Sequence, residues 1–436
     1  MASFFLLLSP LIFSLLFNLI LADAKPPLKS PHQLVLPVTK DASTLQYFTQ
    51  ITQRTPPVTI TLTVNLGGNF MWVDCEKGYV SKSYKPGICN SPMCRLSGSV
   101  TACGSECFSP PAPGCNNNTC SLLPYNPLIR TSTIGEVAAD VVSVQSIEGR
   151  LVTVPELVFT CAPTSLLDGL VPGAKGMAGL GISNISFALQ FGSYFRFSRK
   201  FALCLSSVVG KSGVIFVGEG SYLLPPDTNA STSLMYTPMI INPVSTAGAS
   251  VVGEASSDYF IRVTSIAISG KPVKLNTTLL TIDKDGYGGT KISTVDPYMV
   301  MESSIYKAVT EAFVKEFLTR NVTQIKPAAP FKVCYDKKSF PFTWIGPEAP
   351  RIDMELHKKE VVWRILGSNS MIPVGSDKLC LGLINGGSNP RTAIVIGGHM
   401  LEDNILEFDM ARKRIGFTSL LLWRQTACSN FKFASK

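Results

Sequence analysis

Apolar and polar residues alternate from Val58 to Val64, where Val58, Ile60, Leu62 and Val64 are separated by threonines. This period of two predicts a half-buried β-strand. The strand runs into Asn65-Leu66-Gly67-Gly68-Asn69 and leaves as Phe70-Met71-Trp72-Val73-Asp74-Cys75, a strand-turn-strand pattern. The same period predicts strands over 136–146, 151–161, 201–205 and 213–218. It predicts another over 259–269, where Tyr259, Ile261 and Val263 share one face before Ile266 and Ile268 take the other. One segment has the helical period instead: Ile305, Val309, Ala312, Phe313 and Phe317 line one side of an amphipathic helix. The fold class is therefore mainly β with a few short helices.

The order of these elements repeats. A strand reaches Asn65 and is followed by Gly176-Met177-Ala178-Gly179-Leu180-Gly181; in the second half Gly288-Gly289-Thr290-Lys291-Ile292 reaches Ser293 and is followed by Ile394-Val395-Ile396-Gly397-Gly398. Such a duplication implies two β lobes facing each other across a cleft. Gly67, Trp72, Val73 and Cys75, the two apolar-apolar-Gly stretches, Gly135-Glu136-Val137-Ala138-Ala139-Asp140, and Phe408-Asp409 with Arg414-Ile415-Gly416-Phe417 resemble the plant pepsin-like aspartic proteases. The resemblance implies a bilobal pepsin-like fold, with an N-terminal lobe over 34–235 that carries a cysteine-rich insertion and a C-terminal lobe over 236–436. It also places the two catalytic aspartates of that family at Asn65 and Ser293. Asp296 falls three places late and reads as a turn or capping residue. The family's flap tyrosine falls at Pro127, with Tyr125 out of register. Peptide hydrolysis by this mechanism needs two carboxylates sharing a proton, so no catalytic residue and no peptidase activity is expected. There is no Gly-x-Ser-x-Gly elbow or His-Glu-x-x-His, and His399 reads as a packed or rim histidine.

Composition adds a compartment. Residues Phe4 to Leu21 form an apolar run followed by Ala22-Asp23-Ala24, a signal-peptide pattern over 1–24 that leaves no membrane segment after cleavage. Secretion suits the twelve cysteines: Cys75, Cys161, Cys204, Cys334, Cys380 and Cys428, with Cys89, Cys94, Cys103, Cys107, Cys115 and Cys120 crowded into one Pro/Gly/Ser-rich stretch. Without a Cys-x-x-Cys pair or a nearby histidine, zinc is the weak reading, and neither metal nor cofactor is expected. Sequons at Asn117, Asn184, Asn229, Asn276 and Asn321 fit a glycosylated exported surface. The chain of 436 residues carries a net charge of +9, with short basic clusters at Lys358-Lys359, after His357, and at Arg412-Lys413-Arg414. No aromatic-basic interleaving suggests nucleic acid. An acidic cell-wall polysaccharide is the expected electrostatic partner.

Within the wider family the chain resembles the plant extracellular glycoproteins that inhibit microbial glycoside hydrolases, the dermal-glycoprotein and nectarin-type members, with xylanase inhibitors and seed basic globulins more distant. Leu36-Pro37-Val38-Thr39-Lys40-Asp41 and Ile396-Gly397-Gly398-His399 look close to the xyloglucan-specific endoglucanase inhibitors. That resemblance implies an apoplastic defence protein whose partner is a secreted endo-β-glucanase. The alternative is a carbohydrate-, hormone- or peptide-binding protein using the old cleft. It further implies disulfides Cys75–Cys161, Cys204–Cys428 and Cys334–Cys380, with the six-cysteine cluster pairing internally in an order left open. Two second-lobe loops would carry the inhibitory side chains. One holds Arg424, with Gln425 as the other choice of register, and the second holds Trp344 where a relative would have arginine.

Overall fold

The computed structural model describes residues 30–99, 103, 107–248, 253–318, 322–418 and 421–434. The apolar run over 4–21 and the sequon Asn321 lie outside the described residues.

Two loop-bearing units are built on one plan. Strand Val58–Asn65 pairs in parallel with Ala174–Gly179, which runs antiparallel to Trp72–Asp74, which in turn pairs in parallel with Leu151–Ala162. In the second half Thr290–Ile292 pairs in parallel with Ile394–Ile396, which runs antiparallel to Met299–Met301, itself parallel to Leu383–Asn385. The register agrees as well: Val64 faces Ala178 and Ile292 faces Ile396, so Asn65 and Ser293 come next at equivalent places. Each crossing strand ends on a glycine because the backbone of the loop passes directly over it. A Cβ on Gly179 would overlap the carbonyl oxygen of Phe70, and one on Gly397 that of Tyr298. Any side chain there would push the loop off its strand.

The closing strands link the two halves through one sheet. Ile405–Asp409 pairs antiparallel with Lys200–Cys204, and Arg414–Phe417 pairs with both Ile405–Asp409 and Met235–Pro238. The closing strands of the chain thus extend the first-half sheet, a 14-stranded array that runs through Ser212–Gly218 and Gln33–Lys40 to the first loop. Aromatic packing seals this seam: Phe201 stacks on Phe408 at 4.9 Å, and the Tyr259 ring lies 4.4 Å from Phe408. The Tyr259 hydroxyl, buried by that packing, donates to the carbonyl of Leu180 at 2.8 Å. A buried phenol needs such a partner.

Helix Ser303–Phe317 forms where the 3.6-residue period predicts it. Ile305, Val309, Phe313 and Phe317 are its buried residues. Its N-cap is Glu302, whose carboxylate accepts from the amides of Ser304 and Ile305, satisfying donors that the first turn leaves open. The predicted strand over 259–269 is two strands instead, Tyr259–Ile261 and Ser265–Ile268. Between them the Thr264 hydroxyl reaches the carbonyls of Glu355 and Leu356, which pulls the backbone out of the ladder.

Six disulfides are present: Cys75–Cys161, Cys89–Cys103, Cys94–Cys120, Cys107–Cys115, Cys204–Cys428 and Cys334–Cys380. Three of them staple the cysteine-rich insertion, and one carboxylate anchors it to the sheet. Glu136 accepts from the amide of Asn116 at 2.9 Å, its side-chain amide at 3.0 Å, the Thr119 hydroxyl at 3.2 Å and the Tyr84 hydroxyl. Among the described residues no helix is long and apolar enough to cross a membrane, and no group of three acidic, Cys or His side chains is placed to hold a metal.

Candidate functional site

The two loops meet at Thr294. Its hydroxyl donates to the carbonyl of Val64 at 2.9 Å and accepts from the amide of Leu66 at 3.0 Å, so one side chain ties the second loop to both sides of Asn65. The reciprocal bond is missing, because its place on the first loop is held by Leu66, which has no hydroxyl. Asn65 and Ser293 are both buried, and each is occupied by its own loop. The Asn65 side-chain oxygen accepts from the amide of Gly67 at 3.1 Å, and the Ser293 hydroxyl oxygen accepts from the amides of Val295 and Asp296, each at 3.2 Å. A carboxamide and a hydroxyl held in this way offer neither a shared proton nor a carboxylate base. Asp296 is a turn residue whose carbonyl accepts from Gly398 at 2.7 Å.

A strap from the second half lies over the first loop. The Ser257 hydroxyl donates to the carbonyl of Gly67 at 2.5 Å, the Ser257 carbonyl accepts from the amide of Ile182 at 2.9 Å, and the Asn69 amide reaches Glu254 at 3.4 Å. Asp258 fills the space a side chain at Gly67 would take, since a Cβ there would overlap its carboxylate. Lys291 pairs with Asp258 at 3.5 Å, its side chain only 21% exposed. Burial alone would lower the ammonium's pKa. The carboxylates of Asp258 and then Asp296 outweigh that and hold it above its ordinary value.

The flap position is a short hairpin of Tyr125–Asn126 with Thr131–Ser132, where counting by motif finds no flap. The Tyr125 ring closes on Gly248 so tightly that a Cβ at Gly248 would lie 2.7 Å from it. The hairpin thus touches the second half at Gly248, and the strap touches the first loop at Gly67.

The second candidate lies on exposed loops. Trp344 sits at the turn between Phe342–Thr343 and Gly346–Pro347, and Trp423 in the turn Leu421–Arg424. The two indoles touch edge to face, centroids 5.6 Å apart and planes at 89°, while 63% and 53% of their surfaces stay exposed. This contact joins the two loops that the sequence singled out separately. Arg424 is exposed beside Trp423 and has no hydrogen-bond or ion-pair partner among the described residues, while Gln425 adopts a left-handed turn with φ 54°. Trp423 and the half-exposed Phe342 are additions from the structure. A tryptophan within a short polar turn, Leu422-Trp423-Arg424-Gln425, was the available signal.

The sequon residues Asn117, Asn184 and Asn276 are exposed and Asn229 is half-buried. Asn229 and Asn276 each use their side-chain oxygen to fix a local turn, accepting from the amides of Ser231 and Thr278, and the Asn117 oxygen accepts from the amide of Cys107, ten residues away.

Comparison with known proteins agrees with this geometry. Residues 47–219 match the family model described as xylanase inhibitor N-terminal, and residues 258–419 the one described as xylanase inhibitor C-terminal. The chain is 54% identical over 410 residues to a protein of Nicotiana benthamiana named probable aspartic proteinase GIP2, covering 93% of both. The solved structure titled crystal structure of edgp superposes with a TM-score of 0.92 at 53% identity, over 94% of this chain and 100% of that one. Basic 7S globulin from soybean superposes with a TM-score of 0.80 at 34% identity, over 93% of this chain and 100% of that one. With matched domains in both halves, crossing loops of one topology and a shared closing sheet, the chain belongs to the xylanase-inhibitor family of pepsin-like, mainly β proteins.

Proposed function

We propose that this chain is a secreted, catalytically inactive inhibitor of microbial glycoside hydrolases, acting in the apoplast or cell wall in defence, with a xyloglucan-specific endo-β-glucanase as the target. The observation that carries the reading is the Trp344–Trp423 contact, which brings two exposed aromatic rings together, with the exposed Arg424 next to Trp423 in the chain. Glycoside hydrolases keep two carboxylates in a sugar-binding cleft. A cation meets the carboxylates, and an exposed indole offers the flat apolar face on which a sugar ring would otherwise stack. The family match supports a hydrolase partner. The division into lobes at 34–235 and 236–436 belongs to the same proposal, as does N-glycosylation at the sequons.

On this reading Arg424→Ala weakens inhibition by at least about 2 kcal/mol, the size of an interface hot spot, which is a rise of about 30-fold in the inhibition constant. The melting temperature is expected to stay where it was, because the exposed side chain makes no hydrogen bond or ion pair among the described residues. The measurement is a titration against an endoglucanase that the wild-type chain blocks. An unchanged inhibition constant moves the interface elsewhere.

Inactivity as a peptidase rests on Asn65 and Ser293 standing in the catalytic places, despite the proteinase name carried by the Nicotiana relative. Restoring both carboxylates, Asn65→Asp with Ser293→Asp, is expected to yield no acid proteolysis. Leu66 has no hydroxyl to return the bonds that Thr294 makes across the loops, so the restored carboxylates lack that support. Cleavage of a denatured protein substrate by the double variant, blocked by a peptide-like aspartyl inhibitor, would show that the scaffold is competent. The rival reading is a carbohydrate-, hormone- or peptide-binding protein using the cleft, and retained binding of a small ligand with no inhibition of any endoglucanase would favour it.

A further inference from the structure

The two basic clusters, remote in sequence, are both tied to the same short stretch of chain, Thr237 to Met239, at the edge of the closing sheet. His357 opens the turn between Ile352–Glu355 and Val362–Ile365, and its Nδ1 lies 3.1 Å from the hydroxyl of Thr237 on strand Met235–Pro238. Two residues further along that chain, the amide of Met239 donates to the carbonyl of Lys413 at 2.9 Å. The turn carrying Arg412 and Lys413 is tied in turn to Arg199, whose carbonyl accepts from the amide of Met410 at 3.0 Å. Three segments therefore converge. Over residues 199, 357–360 and 409–414 there are six cations, Arg199, Lys358, Lys359, Arg412, Lys413 and Arg414, against two acids, Glu360 and Asp409. The excess of four is nearly half of the chain's +9.

The cations are not equally free. Arg412 and Arg414 are both held by the buried Asp409, at 3.3 and 3.0 Å, and the Arg414 guanidinium also lies 3.7 Å above the Tyr236 ring. Arg199 is turned to the side-chain oxygen of Asn184 at 3.1 Å. Lys358, Lys359 and Lys413 are exposed, and none has an ion-pair partner among the described residues. The forked cations that grip phosphate by two parallel bonds are already engaged, and what remains is a row of ammonium point charges. Arg414 lies over one face of the Tyr236 ring, so that face is not free for a nucleic-acid base to stack on.

We infer that this composite basic strip binds a polycarboxylate polysaccharide, a chain of uronic-acid sugars, through Lys358, Lys359 and Lys413. The strip is separate from the Trp344–Trp423 surface in residues, and the inference does not depend on the inhibitor reading. A repeating polyanion suits it because spaced lysines each meet one carboxylate, and release of the polymer's counterions drives the association. Binding then falls steeply with added salt.

The test is retention of the full secreted chain on immobilised polygalacturonate at low salt, with a neutral glucan as the blank. Two triple variants are compared: Lys358→Ala/Lys359→Ala/Lys413→Ala on the strip, and Lys211→Ala/Lys274→Ala/Lys332→Ala at scattered exposed positions. Both lose three charges. The strip variant is expected to bind about tenfold more weakly than the scattered one, with a shallower dependence on salt. Equal weakening of the two variants reduces the effect to net charge and overturns the inference, as does a wild-type chain that passes through polygalacturonate unretained. Tighter binding of single-stranded DNA than of polygalacturonate, lost in the same strip variant, overturns the assignment to a polycarboxylate.

Discussion

Glu402→Ala is expected to destabilise the protein by about 3–5 kcal/mol, the cost of leaving a buried network of charges without its centre. The side chain of Glu402 is 2% exposed and takes three partners at once: Lys40 at 2.7 Å, the Tyr47 hydroxyl at 2.7 Å and His399 Nδ1 at 2.9 Å. Lys40 and Tyr47 come from the first strands of the chain, and His399 and Glu402 from the segment after the second crossing strand. The carboxylate therefore clasps the two halves together. It also gives His399 a structural partner, since its Nδ1 pairs with the clasp carboxylate.

The same network sets a pH dependence whose sign is fixed. Burial would raise the pKa of Glu402, but His399 and then Lys40 outweigh it and bring the carboxyl down to about 2 from 4.5. A folded-state value below the unfolded one gives stability that is complete above pH 4.5 and is lost as pH falls from there towards 2. The contribution is about 3 kcal/mol over that window. Urea unfolding of wild type and Glu402→Gln across pH 2 to 6 measures it. The variant, which keeps the shape without the charge, should show a flatter acid limb. Parallel acid limbs, or a loss below about 1 kcal/mol for Glu402→Ala, would mean that the clasp carries little of the cohesion between the halves.

What the sequence revealed and what it hid divide along the distance between partners. The crossing loops were legible because each is local: a period-two strand, a glycine pair and a later apolar-apolar-Gly stretch suffice to set Asn65 opposite Gly179 and to bring Ser293 after Ile292. Helix Ser303–Phe317 was legible for the same reason. Motif counting puts Pro127 where the family has its flap tyrosine, yet a short hairpin of Tyr125–Asn126 with Thr131–Ser132 forms there, because backbone pairing tolerates other side chains. Nothing local in the sequence marks Thr294, yet its hydroxyl ties the two loops together. No periodicity announces that Ser257 and Asp258 will lie on Gly67, that Trp344 will meet Trp423, or that the His357 turn will reach Thr237. These contacts join residues far apart in the chain, and they are the ones on which the functional proposals stand.

Cys204→Ala with Cys428→Ala is expected to cost about 5 kcal/mol, the largest loss among the single bonds of this molecule. In the chain-entropy model the gain from a disulfide grows with the logarithm of the loop it closes. This one spans 224 residues, against 86 for Cys75–Cys161 and 46 for Cys334–Cys380. It fastens the C-terminal segment to the closing sheet at strand Lys200–Cys204, both cysteines being fully buried. That segment has other anchors, which survive the substitution. The amide of Cys428 donates to Asp403 at 2.9 Å, the Thr426 hydroxyl donates to the carbonyl of Pro225 at 2.5 Å, and the Phe431 ring packs on Phe216 at 5.2 Å. The native geometry of Trp423 and Arg424 should thus persist at low temperature, and the loss should fall mostly on the unfolded side of the equilibrium. Two measurements separate these effects: the unfolding free energy, which should drop, and hydrolase inhibition at low temperature, which should change less than about threefold if preorganisation of the loop is retained. A loss of inhibition matching the loss of stability would show instead that the disulfide itself holds the Trp344–Trp423 surface in place.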